Sequence, residues 1–510
     1  MSDSSFSRRN FLSRAAVAAA GAGVLTACGS DSDDKAADFW LPARWDAEAD
    51  VVIVGFGAAG ASAAYHAAKA GASVRVLDTS EAGGGDTAAS GGFVFFGGGT
   101  ALQAQAGVAE TADQMLATVR AMGGDQADPE LQKVWCQRNK EAYDFLDQAC
   151  GTSWGPADMM FTGNEAHGMY ASVAPNGVPV KHGLLDPEGG AGLFSKISTA
   201  VLATPGVTFT GLMKAVRLVQ DPRTRRVLGV VAKPVTDTGA FVEGAAEQFF
   251  KARKGVVVAT GAFSRDTAMM ARHSTDLARL THLANKYADG SGIRMGQAVG
   301  GDVRNMKTFW AYCLKAGTPA FSKSVLIDEA GSRFAPEDAS PYTIGYHQVR
   351  QHPVAFAIAD ASVYAVKPSG GYEGATIEAL VAAINAGEGT SLSAPVVKAT
   401  IDGYNAMVAG GSDPVFKKAA AYLVPISTGP FYAVKVSASD AIGTTTGGLR
   451  IDTASRLLDP AGAAIPSLYA AGTCTSAAPS ERYTGSGTAI SSCLTFGKIA
   501  AEGVVAETAW

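Results

Sequence analysis

Cysteine is scarce. The chain has six in 510 residues, at positions 28, 136, 150, 313, 474 and 493. No pair is spaced CxxC and none is followed as in CxxCH, which excludes c-type haem attachment and the common iron–sulfur spacings. No disulfide framework is expected from so few, irregularly placed thiols. Histidine is almost as rare, with seven residues and no metal-ligand spacing. His347 and His352, on either side of Arg350, read as solvated or structural, so no metal site is expected. Charged residues make up 17% of the chain and the net charge is −5, a balance that argues against a nucleic-acid partner. There is no internal repeat and no long low-complexity tract. The apolar run at 15–27 is too short and too rich in Gly and Ala to span a bilayer.

Glycine, by contrast, is abundant, with 60 residues. That is expected where the backbone must approach a large ligand. A chain of this length is too long for one small core, so more than one domain is expected. The most informative stretch is DVVIVGFGAAGASAAYHAAKAGASVRVLD, residues 50–78. A buried strand runs into Gly55, Gly57 and Gly60; an Ala-rich helix follows, then a second strand ending at Asp78. This is the βαβ fingerprint of a dinucleotide site. Gly55 permits the tight turn, Gly57 lets a pyrophosphate reach the backbone, and Gly60 lets helix and sheet pack closely. Ala58 and Ala59 open the helix whose N-terminal N–H groups hold the phosphates. Asp78 can accept hydrogen bonds from both ribose hydroxyls.

The segment after the acid, EAGGGDTAASGGFVFFGGGT (81–100), is rich in small residues. It resembles the FAD-binding loop of the fumarate reductase and 3-ketosteroid dehydrogenase flavoprotein superfamily, with Asp86, Thr87, Ser90, Gly91 and Gly92 at the matching positions. KGVVVATGAFSRD (254–266) resembles the family's strand and turn near the adenine, with Ala259, Thr260 and Gly261 at the turn. The DG…MG element at 289–296 begins with Asp289, and IPSLYAAGTCT (465–475) resembles the last strand before the flavin, with Gly472 at its turn. The resemblance implies a discontinuous Rossmann-like α/β FAD-binding domain at 49–285 and 431–510, with an inserted α+β substrate or cap domain at 286–430. It implies FAD, held without a covalent bond, and an active site between the two domains.

The C-terminal segment SAAPSERYTGSGTAISSCLTFGKIAAE (476–502) lacks the HGANR run of family members that reduce dicarboxylates. It is similar to the 3-ketosteroid dehydrogenases, in which a Tyr and a Gly four residues later precede a helix ending in TFG. Here these are Tyr483 and Gly487. In that resemblance the Tyr483 hydroxyl and the Gly487 N–H hold a ketone oxygen, which acidifies the neighbouring C–H. A second Tyr, Tyr342 or Tyr346 and more weakly Tyr170, removes the proton, and hydride passes to flavin N5. The helix from Thr488, with Ala489 and Ile490 in its first turn, directs its positive end at the flavin. The expected substrate is a small apolar, steroid-like ketone, and the acceptor a quinone or another external oxidant. The signals for 1,2- and 4,5-desaturation conflict: 94–100 and 161–165 resemble enzymes of the 4,5 bond, and YTGSG resembles those of the 1,2 bond.

Two other classes stay open. One is an exported ene-reductase for an activated alkene, which would need Arg333, Lys323 or Arg350 to face the flavin. The other is a relay flavoprotein serving a membrane partner.

The N-terminus carries a separate signal. Ser7-Arg8-Arg9-Asn10-Phe11-Leu12 matches a twin-arginine export motif, and LTACGS (25–30) resembles a lipobox with Cys28 as the acylated residue. Residues 1–28 therefore read as a lipoprotein-type signal and 29–48 as a polar tether. The expected location is periplasmic or at the cell surface, anchored to the membrane by lipid on Cys28 after passage through the twin-arginine machinery.

Overall fold

The computed structural model describes residues 41–105, 107–123, 127–152, 154, 172–173, 179–180, 183–273, 275–477 and 483–510. The twin-arginine segment, Cys28, most of the tether, Tyr170, the 161–165 motif and Arg482 lie outside the described residues.

Strand Ala47–Val54 is the centre of the main sheet. Val51 to Val54 are all buried, as an unbroken apolar run requires when a parallel strand is covered on both faces. It pairs in parallel with Val74–Leu77 on one side and Gln248–Val258 on the other. The parallel set continues to Val207–Thr210 and Ala464–Ala470 at its two flanks. Arg456–Leu458 adds an antiparallel edge, and the hairpin Met213–Gln220/Val227–Pro234 joins the first half of Gln248–Val258. This is the mixed α/β nucleotide-binding fold that the fingerprint implies.

Glycine sets the distance between helices and sheet. A Cβ on Gly60 would fall 1.9 Å from the Gly55 carbonyl oxygen, and one on Gly497 would fall 2.3 Å from that of Ala59. Helix Thr488–Ala506 can therefore lie directly against helix Ala58–Lys69, and Ser62 Oγ donates to the Leu494 carbonyl at 2.7 Å across the contact. Among the described residues this last helix is long and apolar enough to cross a membrane, but most of it is buried within the protein, as a core helix is.

A second, antiparallel sheet runs in the order Val325–Ile327, Val354–Asp360, Phe431–Ser437, Tyr372–Gly374. Helices Ile377–Glu388 and Ala394–Ala409 pack on it around Leu380, Val397 and Tyr404. Beside it Arg333 lies 2.7 Å from both Glu337 and Asp413, and Lys418 lies 3.1 Å from Glu337, with all four side chains buried. This is the inserted α+β part, but its limits differ from the 286–430 expected. Helix Ser291–Ala298 belongs to the main core through Ile293 and Met295. Phe431–Ser437 is an inner strand of the second sheet, so the chain does not rejoin the nucleotide-binding part at residue 431. A short, mostly apolar strand fits either sheet, and pairing partners distant in sequence decide between them.

A small third sheet, Thr281–His282, Ala441–Thr445 and Phe309–Cys313, carries helix Pro341–Arg350 on one face. Gly345 makes that approach possible, since a Cβ there would lie 2.7 Å from the Ala311 carbonyl oxygen. The contact sets Tyr342 beside Trp310.

Candidate active site

One cleft, with about 1340 Å³ of atom-free space that is partly open to solvent, contains most of the residues singled out from the sequence. Its floor is the fingerprint. Gly55 has φ +103°, and a Cβ there would lie 2.3 Å from the Ala259 carbonyl oxygen, so the strand end and the 259–261 turn meet only through glycine. At Gly57 the nearest atoms to an added Cβ are 3.8 Å away, leaving the backbone open to the cleft. Gly57 caps helix Ala58–Lys69 without a side-chain hydrogen bond, and the Ala58 N–H donates to Thr87 Oγ1 at 3.1 Å. Ala58, Ala59, Thr87, Ser90, Gly91, Ala259, Thr260, Gly261 and Gly472 all line the same space. Together they line a cleft of small residues at a helix N-terminus whose own cap residue, Gly57, supplies no side chain, which suits a pyrophosphate-bearing dinucleotide.

Two carboxyl groups line this part of the cleft. Asp78 accepts from the Phe56 N–H at 2.6 Å and the Ser80 N–H at 2.7 Å. Burial raises its pKa, and those two donors only partly oppose the rise. Asp86 Oδ1 accepts twice from Asn285, from the backbone N–H at 2.6 Å and from Nδ2 at 2.7 Å. Asp86 Oδ2 is buried without a partner.

The remaining wall is aromatic. Trp310 stacks on Tyr483 with centroids 5.0 Å apart and planes 24° from parallel, and Tyr342 packs against Tyr483 at 4.8 Å. The Ala489 N–H, in the first turn of helix Thr488–Ala506, donates to Tyr483 Oη at 3.1 Å. Burial pushes the Tyr483 phenol well above its usual range, while the Ala489 and Gly487 N–H groups pull the other way. Tyr483 is thus a neutral phenol whose oxygen already accepts from a helix N-terminus, leaving its proton free to donate. Tyr342 Oη lies 2.8 Å from Ser486 Oγ. Gly487 takes φ +90°, and a Cβ there would fall 2.4 Å from the backbone of Val94. Gly487, Ala489 and Ile490 line the cleft with these phenols.

Four of the residues singled out stand back from the cleft. Gly60 and Gly92 serve close packing; a Cβ on Gly92 would fall 2.4 Å from the Gly189 backbone. Asp289 pairs with Lys214 at 2.5 Å and accepts from the Ser291 N–H. Tyr346, one helical turn beyond Tyr342, stacks on Phe309 under the Arg350 guanidinium. Trp310, Ser486, Asn285 and Lys214 line the cleft without having been singled out. The alternating burial of Phe309–Cys313 sets Trp310 and Tyr312 on one face, a pattern that could have marked Trp310.

Lys214 is the cation among the described lining residues. Arg333 is committed to Glu337 and Asp413. Arg350 is committed to Asp276 and the Lys307 carbonyl. Lys323 is not among the lining residues.

A family model described as an FAD binding domain matches residues 50–490. The chain is similar to the crystal structure of 3-ketosteroid-Δ4-(5α)-dehydrogenase from Rhodococcus jostii RHA1 in complex with 4-androstene-3,17-dione. The identity is 29% and the TM-score 0.78, over 91% of this chain and 98% of that one. It is 27% identical over 447 residues to urocanate reductase of Eggerthella lenta, covering 83% of this chain and 69% of the relative. It is 26% identical over 551 residues to 4-oxocyclohexanecarboxylate 2-dehydrogenase of Sinomonas cyclohexanicum, covering 90% and 93%.

Proposed function

Since the chain belongs to the FAD binding domain family, and so is an FAD-dependent oxidoreductase of CH–CH bonds, we propose that it desaturates a cyclic, steroid-like 3-ketone next to its carbonyl. The observation that carries this reading is the pair of phenols, Tyr342 and Tyr483, packed together in the cleft that holds the fingerprint.

Bound FAD supplies the hydride acceptor. The protein's own groups prepare the substrate. Tyr483 donates its proton to the ketone oxygen, and the helix N-terminus behind its own oxygen strengthens that donation, so negative charge developing on the enolate is stabilised. Tyr342 takes the proton from the carbon beside the carbonyl. The Ser486 hydroxyl lies 2.8 Å from the Tyr342 oxygen and, acting as donor, would stabilise the phenolate form that can accept it. The proton leaves the alpha carbon, a hydride leaves the next carbon, and an enone remains. Trp310 supplies a flat apolar wall for the ring system. The likeness to a Δ4-(5α)-dehydrogenase supports the 4,5 bond.

A second reading, reduction of an activated alkene, is favoured by the likeness to urocanate reductase. It needs a cation for an acidic substrate. Arg333 and Arg350 are paired elsewhere, and Arg482, the cation next to Tyr483 in sequence, lies outside the described residues. Steady-state turnover with an artificial acceptor separates the two. Turnover of 5α-3-ketosteroids that survives Arg482→Gln but is lost in Tyr342→Phe supports the dehydrogenase, and activity confined to unsaturated acids contradicts it.

The twin-arginine motif and the LTACGS lipobox support export of the folded, FAD-loaded protein and acylation at Cys28. A membrane quinone would then be within reach as the acceptor. Loss of membrane association in Cys28→Ser is the corresponding check.

A further inference from the structure

The turn after strand Val227–Pro234 lies across the rim of the cleft. Residues 236–240 close on themselves: the Gly239 N–H donates to the Thr236 carbonyl at 2.9 Å, and the Thr236 N–H to the Ala240 carbonyl at 2.8 Å. Gly239 takes φ +84°, and a Cβ on it would fall 3.0 Å from the Tyr287 ring and 3.9 Å from Thr79 Cγ2. Thr79 and Tyr287 both line the cleft and come from segments far apart in the chain, so the turn abuts two sides of one rim. Thr79 follows Asp78, and the acid at that place in the fingerprint marks the ribose of the dinucleotide. The rim that the turn spans is therefore the adenosine end. Tyr287 itself is held on two sides. Its Oη donates to the Asp237 carbonyl, which also accepts from Lys286 Nζ. Its backbone N–H donates to Asn285 Oδ1 at 2.7 Å, and Asn285 donates twice to Asp86 in the glycine-rich loop. Residues 283–290 lie between strand Thr281–His282 and helix Ser291–Ala298, so these bonds, rather than a strand or helix ladder, position the ring.

We propose that Tyr287 and the 236–240 turn form a clasp over the adenosine end of bound FAD, with the Tyr287 ring against the adenosine and the Asp237 carbonyl latching the ring in place. FAD then leaves only when the clasp opens. A nucleoside presents a π-face that an aromatic ring can cover without reading its edge, and Tyr287 has its polar tip already engaged by the turn. The latch bonds lie at the protein surface. Opening the clasp therefore breaks a few exposed hydrogen bonds and no core packing, which is the character of a local rather than a global opening.

The test is the rate at which the FAD-loaded full chain releases its cofactor on dilution, followed by flavin fluorescence, for wild type, Tyr287→Phe, Tyr287→Ala and Gly239→Ala. The stripped proteins are also titrated with ADP, which carries the adenosine half of the cofactor, and with FMN, which carries the flavin half. Tyr287→Phe keeps the ring and loses the latch, so release should speed up by about two- to tenfold, as loss of one hydrogen bond gives. Gly239→Ala pushes a methyl group at the ring and should act in the same direction. Tyr287→Ala should release FAD fastest of all and bind ADP more weakly, with FMN affinity unchanged. Release unchanged in both Tyr287 variants, or FMN weakened as much as ADP, would overturn the proposal, the second result being that of general loosening. Hydrogen exchange of the stripped wild type gives an independent answer should a variant fail to fold. Slower exchange at 236–241 and 285–289 with ADP but not with FMN supports the clasp, and exchange there that ADP leaves unchanged overturns it.

Discussion

Tyr342 and Tyr483 come from segments about 140 residues apart in the chain, yet their rings pack 4.8 Å apart, one tethered to Ser486 and the other to the N–H of Ala489. One phenol is thus held by a hydroxyl and the other by a helix N-terminus, an asymmetry that suits one as base and the other as hydrogen-bond donor.

Tyr483→Phe removes the donor and keeps the ring stacked on Trp310. Loss of one such donor costs roughly 10²–10³-fold in kcat. FAD content and melting temperature should stay close to wild type, so steady-state rates and the flavin spectrum together check the role.

Gly487→Ala forces a side chain onto φ +90° and against the Val94 backbone. Backbone strain of this kind costs about 1–3 kcal/mol, and the clash adds to it. Because Gly487 opens helix Thr488–Ala506, the expected result is a lower melting temperature together with weakened FAD retention, both read by thermal release of flavin fluorescence.

Arg333→Met strips the cation from the buried Glu337 and Asp413 carboxylates. Breaking a buried pair from one side typically costs about 3–5 kcal/mol, so the melting temperature should fall clearly. The folded fraction should keep the wild-type KM for a ketone, because Arg333 is not in the cleft. A rise in KM for an unsaturated acid, with stability unchanged, would instead favour the alkene-reductase reading.

His66 supplies a pH signature. Burial, and then the neighbouring Lys498 cation, hold its pKa down to about 4. An unfolded histidine binds a proton near pH 6.5. The unfolded chain therefore takes up the proton first as pH falls, and stability is lost between about pH 6.5 and 4, with the full contribution present above that window. His66→Gln should flatten this part of the stability curve, as measured by denaturant midpoints at pH 7 and pH 5.

The nucleotide cradle was legible because glycine encodes backbone shape. Gly55 and Gly60 are where a Cβ would collide with Ala259 and with Gly55 itself, so the residue type states the geometry. The second sheet was not legible to the same degree. Phe431–Ser437 is a short, mostly apolar strand with no pattern that assigns it to one sheet, and its partners Val354–Asp360 and Tyr372–Gly374 lie far back in the chain. Tyr342 and Tyr346 could not be separated by sequence, since they stand one turn apart on the same helix. Packing of that helix on Phe309–Cys313 lays Tyr346 on Phe309 and leaves Tyr342 at the cleft. Trp310 and Ser486 carry no motif of their own, and each gains its place from a neighbour distant in sequence. Asn285 was passed over because an amide beside a motif reads as solvated until its acid partner, Asp86, is seen 199 positions away.

In the proposed reaction a ketone gives its hydride to the cofactor with the two phenols activating it. Anaerobic mixing of the FAD-loaded chain with a 5α-3-ketosteroid, and separately with androst-4-ene-3,17-dione, tests this most directly through the oxidised flavin absorbance. Bleaching by the 5α-ketone is expected, abolished in Tyr342→Phe and strongly slowed in Tyr483→Phe. Absence of bleaching by either ketone, with reduced enzyme reoxidised instead by an unsaturated acid, would contradict it.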